Sequence, residues 1–227
     1  MPGTLLSLKD LEVGYGLPVC PPITLDLAPG DVVAVVGSNG SGKSTLLRTV
    51  VGLLQPLGGR MEMLGADLDE RSRAFREAVA SELGDEAFFP SLTVREHLLL
   101  TCYGHGVDDP DGVTDYQLDV FGLTERSDAL PGALSSGQRR RLLLAATFAR
   151  PRSLMILDEP EQRLDAAIRD DLAGWLVEER SEGGGVLMAT HDPQLVTTAA
   201  TQVVVISDTE VRVVEPERGA EIIRHEL

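Results

Sequence analysis

An α/β fold built on a mostly parallel sheet is what this sequence predicts, on three observations. Three short, wholly apolar runs recur along the chain: VVAVV at 32–36, LMIL at 154–157 and VLMA at 186–189. Each has the length and composition of a strand buried on both faces, the pattern of a parallel sheet. Between them lie segments whose apolar residues step by three and four, the spacing of helices that cover such a sheet.

The elements follow in order. Residues 5–15 and 23–27 alternate apolar with polar, which predicts antiparallel strands with one wet face. A glycine-rich turn follows VVAVV, and 43–52 reads as a helix. A short strand at 61–64 ends at Gly65, and 70–83 has helical spacing. Thr93-Val94-Arg95-Glu96 is a capping box that opens a helix over 93–102. The glycine- and aspartate-rich 104–112 is expected to be a loop, and 114–121 a short helix. ALSSGQRRR at 133–141 places a hydroxyl-rich tip before three arginines, and 142–150 is apolar on nearly every face, as a buried helix would be. After LMIL, the residues Leu164, Ile168, Leu172, Trp175 and Leu176 mark an amphipathic helix, broken at Gly183-Gly184-Gly185. Runs at 203–207 and 211–214 close the chain as a hairpin around Asp208 and Thr209.

Length and charge narrow the function classes. A chain of 227 residues, 43% hydrophobic, fits one domain with a sizeable core. The formal charge of −16 repels phosphate backbones, which argues against nucleic acid as a partner. Cys20 and Cys102 stand far apart and outside any CxxC pair, so neither a disulfide framework nor a zinc site is expected. The start, MPGTLLSLKDLEV, lacks the basic and then apolar pattern of a secretory leader. No apolar run approaches the length that spans a bilayer.

Two motifs carry the chemistry. Gly37-Ser38-Asn39-Gly40-Ser41-Gly42-Lys43-Ser44-Thr45 fits G-x-x-x-x-G-K-[ST] between a buried strand and a helix. Its glycines let backbone N–H groups turn around phosphate oxygens, and the helix start adds positive potential. Lys43 reaches the β- and γ-phosphates in such a loop, and the Ser44 hydroxyl binds Mg²⁺. The chain has only two lysines, Lys9 and Lys43, so a lysine at this position is not general surface charge. The second motif is LMILDE, where Asp158 and Glu159 stand at the C-terminal end of a buried strand. Strand ends of this kind form the ligand-binding rim of α/β sheets. There Asp158 is placed to hold Mg²⁺ and Glu159 to polarise the attacking water. His191 ends the third apolar run in the same way and is a candidate for contact with the γ-phosphate or that water.

With these motifs in this order the chain resembles the ATP-binding-cassette (ABC) ATPase family over essentially its whole length. The specific element is Leu134-Ser135-Ser136-Gly137-Gln138, which other phosphate-loop ATPases lack. The resemblance implies a phosphate-loop core with an antiparallel β subdomain and a helical subdomain inserted at about 86–150. It implies ATP and Mg²⁺ as cofactors, Lys43, Glu159 and His191 as catalytic residues, and Ser44 and Asp158 at the metal. Tyr15 matches the aromatic that stacks on adenine; the alternative is a tyrosine packed on the sheet. Ser136 and Gly137, with Ser135 and Gln138 beside them, match the positions that meet the γ-phosphate of ATP on an opposite subunit. Asp165 matches the loop that crosses that interface.

The implied partners are a second ABC subunit, identical or homologous, and a separate transmembrane permease. The implied place is the cytoplasmic face of the cell membrane; export is the preferred direction, since nothing in the sequence looks like an added regulatory domain. The competing class is a soluble ABC-type ATPase acting on nucleic acid or ribosomes, which the acidic charge disfavours. The sequence departs from the family at two points. Where a glutamine usually touches Mg²⁺ it reads Gly84-Asp85-Glu86, with Asp85 the expected occupant and Gly84 or Glu86 the alternatives. Position 136 is serine where glycine is commoner. Phe88, Phe89 and the helix from Thr93 are expected to face the permease or to pack within the helical subdomain.

Overall fold

The computed structural model describes residues 3–84 and 88–227. The chain runs through β1 (Leu6–Glu12), β2 (Ile23–Leu27), β3 (Val32–Val36), α1 (Lys43–Val50), β4 (Gly58–Met63) and β5 (Ala66–Asp67). It continues through α2 (Arg73–Ala78), β6 (Val79–Glu82), α3 (Val94–Gly104), α4 (Pro110–Val120), α5 (Ser136–Ala149) and β7 (Leu154–Asp158). It ends with α6 (Ala166–Ser181), β8 (Gly185–Ala189), α7 (Pro193–Ala199), β9 (Gln202–Ile206), β10 (Val211–Val214) and α8 (Pro216–His225).

Among the described residues, β3 lies inside a six-stranded sheet ordered β10-β9-β3-β8-β7-β6. Its neighbours β8 and β9 run parallel to it, and only β10 is antiparallel. All five residues of β3 are fully buried. Their side chains alternate between two cores. Val33 and Val35 join a cluster with β1, β2 and α1, while Val32, Ala34 and Val36 join one with α5, α6 and α7. Two cores explain why the run is apolar throughout rather than alternating. A second, antiparallel sheet, β2-β1-β4-β5, closes the first of these cores. There β2 does alternate, with Ile23, Leu25 and Leu27 inward and Thr24 and Asp26 outward. The mostly parallel sheet, the antiparallel layer and the closing β9–β10 hairpin are as expected.

The structure differs from expectation along 70–83. Only Arg73–Ala78 is helical, started by Ser72, whose hydroxyl accepts from the Phe75 amide at 3.1 Å. Val79–Glu82 instead forms the edge strand β6, in parallel register with β7 (Val79 opposite Leu154, Glu82 opposite Leu157). Helical spacing loses here because the open edge of β7 offers a ladder of backbone bonds and buries Val79 and Ala80. The strand expected at 61–64 begins at Gly58, and Leu64 turns out of it at φ 55 into β5. The expected loop 104–112 yields its end to α4, which starts at Pro110 under the Asp109 cap. Two helices were not expected, α7 and α8. The helix at 93–102 does open on its capping box, with both Thr93 and Glu96 side chains engaged.

Helices α3 and α4 pack on α5, which carries on into the core beside β6. Phe121, immediately after α4, joins them to α6 through a three-ring cluster. Its ring lies 4.5 Å from Trp175 and 5.9 Å from Phe148. Phe121 is 1% exposed. Phe121→Ala is therefore expected to lower unfolding free energy by about 3–5 kcal/mol, read from urea denaturation. A loss below about 1 kcal/mol would contradict this account of how α4 is held.

Candidate functional site

The parallel register brings the motif residues together. Val35 lies opposite Ala189, and Ala189 lies opposite Asp158, so β3, β8 and β7 end at one rim. Residues 37–42 leave β3 at this rim and enter α1. Gly37 admits no side chain: an added Cβ would sit 2.4 Å from the Ile206 carbonyl oxygen and 2.6 Å from Ser41 Oγ. Gly42 takes φ 100, and its Cβ would meet Val19 at 2.9 Å. The loop curls onto the first residue of α1, so that Lys43, 5% exposed, donates from Nζ to the carbonyls of Gly37 at 2.8 Å and Ser38 at 3.0 Å. Burial lowers the Lys43 pKa, and the nearby Glu159 and Asp158 carboxylates oppose that shift. Ser41 Oγ is buried beside the lysine without a hydrogen-bond partner.

Across the cleft, Asp158 accepts from the Ser44 hydroxyl. Burial raises its pKa, and that hydrogen bond, with Arg140 and Lys43, opposes the rise. Its Oδ1 is buried with no partner. A hydroxyl and a carboxylate oxygen side by side, one of them unsatisfied, are the donor set Mg²⁺ takes when substrate phosphate and water complete its octahedron. Among the described residues there is no cluster of three or more His, Cys, Asp or Glu that would hold a metal by itself. Asp85 lies outside the described residues.

Glu159 follows with φ 47, in the left-handed region that non-glycine residues rarely take. Its amide donates to the Ala189 carbonyl at 2.8 Å. His191 Nε2 stands 3.6 Å from Glu159 Oε1, beyond hydrogen-bond distance, and has no other partner. Burial first, then the Lys43 charge, lowers the His191 pKa against the pull of Glu159 and Asp158. The ring is thus neutral near pH 7, one nitrogen free to accept or donate. Ser44, Gly84, Asp158, Glu159 and Gln162 line a cavity of about 180 Å³ between the loop and α5. Phosphates held at residues 37–45 would have a cation, a metal seat, a carboxylate and an imidazole around them.

Two residues that sequence reasoning missed complete the rim. Glu161, 9% exposed, accepts at Oε1 from Thr190 Oγ1 at 2.7 Å and from the His191 amide at 3.0 Å, which fixes the histidine's backbone. Arg140 donates to the carbonyls of Asp158 and Glu159, both at 2.8 Å. His97, which had no expected role, accepts at Nε2 from the Phe89 amide at 2.9 Å.

The other candidates lie outside this cavity. Tyr15 is 68% exposed in the turn after β1, so it does not pack on the sheet. Ser135 caps α5 in a full capping box: its hydroxyl accepts from the Gln138 amide at 3.2 Å, and Gln138 Oε1 accepts from the Ser135 amide at 2.9 Å. Ser135 and Ser136 are exposed, and Gly137 lies so close to the Arg163 carbonyl that a Cβ would stand 2.8 Å away. Asp165 caps α6, accepts from the Ile168 amide at 3.1 Å and pairs with Arg141 of α5. Phe88 packs edge-on to His97, whereas Phe89 is 58% exposed.

A sequence model of the ABC transporter family matches residues 20–162. The cytochrome c biogenesis ATP-binding export protein CcmA of Bordetella parapertussis is 37% identical over 170 residues, 75% of this chain and 76% of that protein. The thiamine import ATP-binding protein ThiQ of Cereibacter sphaeroides is 34% identical over 191 residues, 82% of each. A solved ATP-binding subunit of an ABC transporter superposes with a TM-score of 0.83 at 27% identity, covering 93% of this chain and 90% of that one.

The crowding at Gly37 generates a prediction. Gly37→Ala forces the loop away from the Ile206 carbonyl and so misplaces the backbone amides. ATP affinity, read by titration with a fluorescent ATP analogue, is expected to fall at least tenfold, about 1.4 kcal/mol. Unchanged affinity would show that the amides do not need this path.

Proposed function

The chain belongs to the ABC transporter family and is an ATP-binding, ATP-hydrolysing subunit, and from that premise we propose how it works and with what. Its phosphate loop, residues 37–45, holds ATP, with Lys43 exchanging the Gly37 and Ser38 carbonyls for the β- and γ-phosphates. Ser44 and Asp158 would hold Mg²⁺, which when bound would neutralise phosphate charge. Glu159 orients and polarises the attacking water, and neutral His191 contacts the γ-phosphate or that water. Tyr15, exposed in the turn after β1, stacks on adenine. The single observation that carries the reading is the convergence of Lys43, Ser44, Asp158, Glu159 and His191 on the rim where β3, β7 and β8 end.

The start of α5 lies outside that cavity, exposed and capped. We place Ser135, Ser136, Gly137 and Gln138 against the γ-phosphate on a second ABC subunit, with Asp165 at the interface. Two chains then sandwich two ATP molecules, close while the γ-phosphates are in place, and open after hydrolysis. Residues from about 86 to 150, with α3, α4 and α5, form the helical subdomain.

Among the described residues no helix is long and apolar enough to cross a membrane. We place the transmembrane permease on a separate chain, with this subunit on its cytoplasmic side, a reading supported by the likeness to ATP-binding subunits of transporters. A groove of about 350 Å³ between Leu53, Leu83, Thr101, His105 and Leu143 is suited to receive a permease segment, with exposed Phe89 nearby in sequence. Export is the direction we prefer, supported by the identity to CcmA, an export protein, over that to the importer ThiQ.

Two substitutions test the chemistry. Lys43→Ala is expected to abolish ATP binding; retained affinity would remove the loop from this role. Glu159→Gln is expected to bind ATP but lower kcat at least a hundredfold, and to accumulate an ATP-bound dimer by size-exclusion chromatography. Unchanged turnover would take Glu159 out of the base role. Co-purification with a membrane protein tests the partner, and vesicle uptake with that partner reads the direction.

A further inference from the structure

Arg140 lies one turn past the Ser135 cap of α5. Its side chain is 7% exposed and forms an ion pair with Glu82, whose side chain is 4% exposed, at the end of β6. The other Glu82 oxygen accepts from the Gly84 amide at 2.9 Å. From the far side of the same guanidinium, Nη2 donates to the Asp158 and Glu159 carbonyls, both at 2.8 Å. One planar group therefore ties together the start of α5, the end of β6 and the end of β7. Glu159 needs such a hold. Its left-handed backbone, φ 47, persists only if the surroundings impose it. Its amide is held by Ala189 and its carbonyl by Arg140 and by the Gln162 amide at 3.0 Å. A buried ion pair is a poor device for stability alone, because apolar side chains of similar volume do as well. What an apolar pair cannot do is hydrogen-bond two carbonyls while pairing its charge with a carboxylate.

We propose that Arg140 is a positioning residue for hydrolysis. It fixes the peptide that aims the Glu159 carboxylate, with Glu82 holding the guanidinium, so that the placement of the Ser135–Gln138 helix start sets the aim of the base in the same chain. The proposal rests on the reading of Glu159 as base and deepens it. In the two-chain arrangement the start of α5 meets the other chain's nucleotide. Occupancy of one site thus reaches the base of the other through a single side chain.

The test is steady-state ATPase of the full chain with Mg²⁺ and ATP. Arg140→Met combined with Glu82→Leu replaces the pair with apolar side chains. Its unfolding temperature is expected to stay within a few degrees of the unsubstituted chain while kcat falls about 10- to 100-fold and KM changes less than about threefold. Full kcat in the folded double variant, or a change confined to KM, would overturn the proposal. Arg140→Lys keeps the charge opposite Glu82 but not the fork, and its kcat is expected to fall at least tenfold. If the apolar pair does not fold, this variant decides in the same sense. Glu159→Gln separates the two levels. Unchanged turnover there removes the base itself, whereas a dead Glu159→Gln beside a fully active double variant removes Arg140 alone.

Discussion

The register of three parallel strands is the constraint on which the rest depends. β3 pairs with β8 from Val32 opposite Val186 to Val35 opposite Ala189, and β8 pairs with β7 up to Asp158 opposite Ala189. Each of these strands is buried on both faces, so none can slip without exposing one set of apolar residues. Full burial of a valine or leucine is worth roughly 1.5–3 kcal/mol, and β3 alone buries four valines. That energy, spent on the core, also sets the height at which Gly37, Glu159 and His191 leave the sheet. The bonds from the Glu159 amide to the Ala189 carbonyl and from the Thr190 amide to the Val35 carbonyl continue the ladder past the strand ends. The chemical groups are thereby placed by packing rather than by one another.

Packing also explains the electrostatics of the rim. Lys43, Asp158, Glu161 and His191 are each desolvated, and burial is the largest influence on the pKa of every one. Their charges oppose that influence only in part. Ser41 Oγ, Asp158 Oδ1 and His191 Nε2 are left without hydrogen-bond partners. A buried polar group in that state costs about 1–3 kcal/mol. A metal-bound triphosphate held as proposed would supply oxygens to donors and a cation to acceptors, and so would relieve what folding left unsatisfied. Lys43 is the one member already satisfied, by two loop carbonyls. Those bonds hold the ammonium in place at the loop's centre, which lowers the ordering that phosphate binding must still supply.

Most of this was readable in the sequence where one residue type at one strand end carries the meaning. VVAVV, LMIL and VLMA announced their strands because burial on two faces leaves no room for alternation. Lys43, Ser44, Asp158, Glu159 and His191 could be named because each follows such a run. β6 was not legible, since Val79-Ala80-Ser81-Glu82 has only two apolar residues and becomes a strand through the edge of β7. α7 and α8 did carry signals: Asp192 and Glu215 each precede a proline at the first helical position, and Asp192 caps its helix by accepting from Gln194 and Leu195. Glu161 and the Glu82–Arg140 pair left no local trace, because each is defined by a partner distant in the chain. ALSSGQRRR sits between these cases. Its hydroxyl-rich tip was readable, but its three arginines have separate duties that only the fold distinguishes: Arg139 bonds the Leu134 carbonyl, Arg140 the rim, Arg141 Asp165.

The start of α5 makes the argument for a second chain in physical terms. A helix begins with backbone N–H groups that its own turns cannot satisfy. The Ser135–Gln138 box answers two amides, those of Ser135 and Gln138. The amides of Ser136 and Gly137 lie between them, at an exposed helix start carrying the positive end of the helix dipole. Gly137 keeps that surface free of a side chain, as the Arg163 carbonyl behind it already requires. Yet the cavity beside the chain's own phosphate loop is lined from α5 by Arg140 and not by residues 135–138. In the proposed two-chain arrangement, this helix start would receive its phosphate from the other subunit. The length of α5 between these two places is about a single helical turn, so the proposed coupling would cross only that distance.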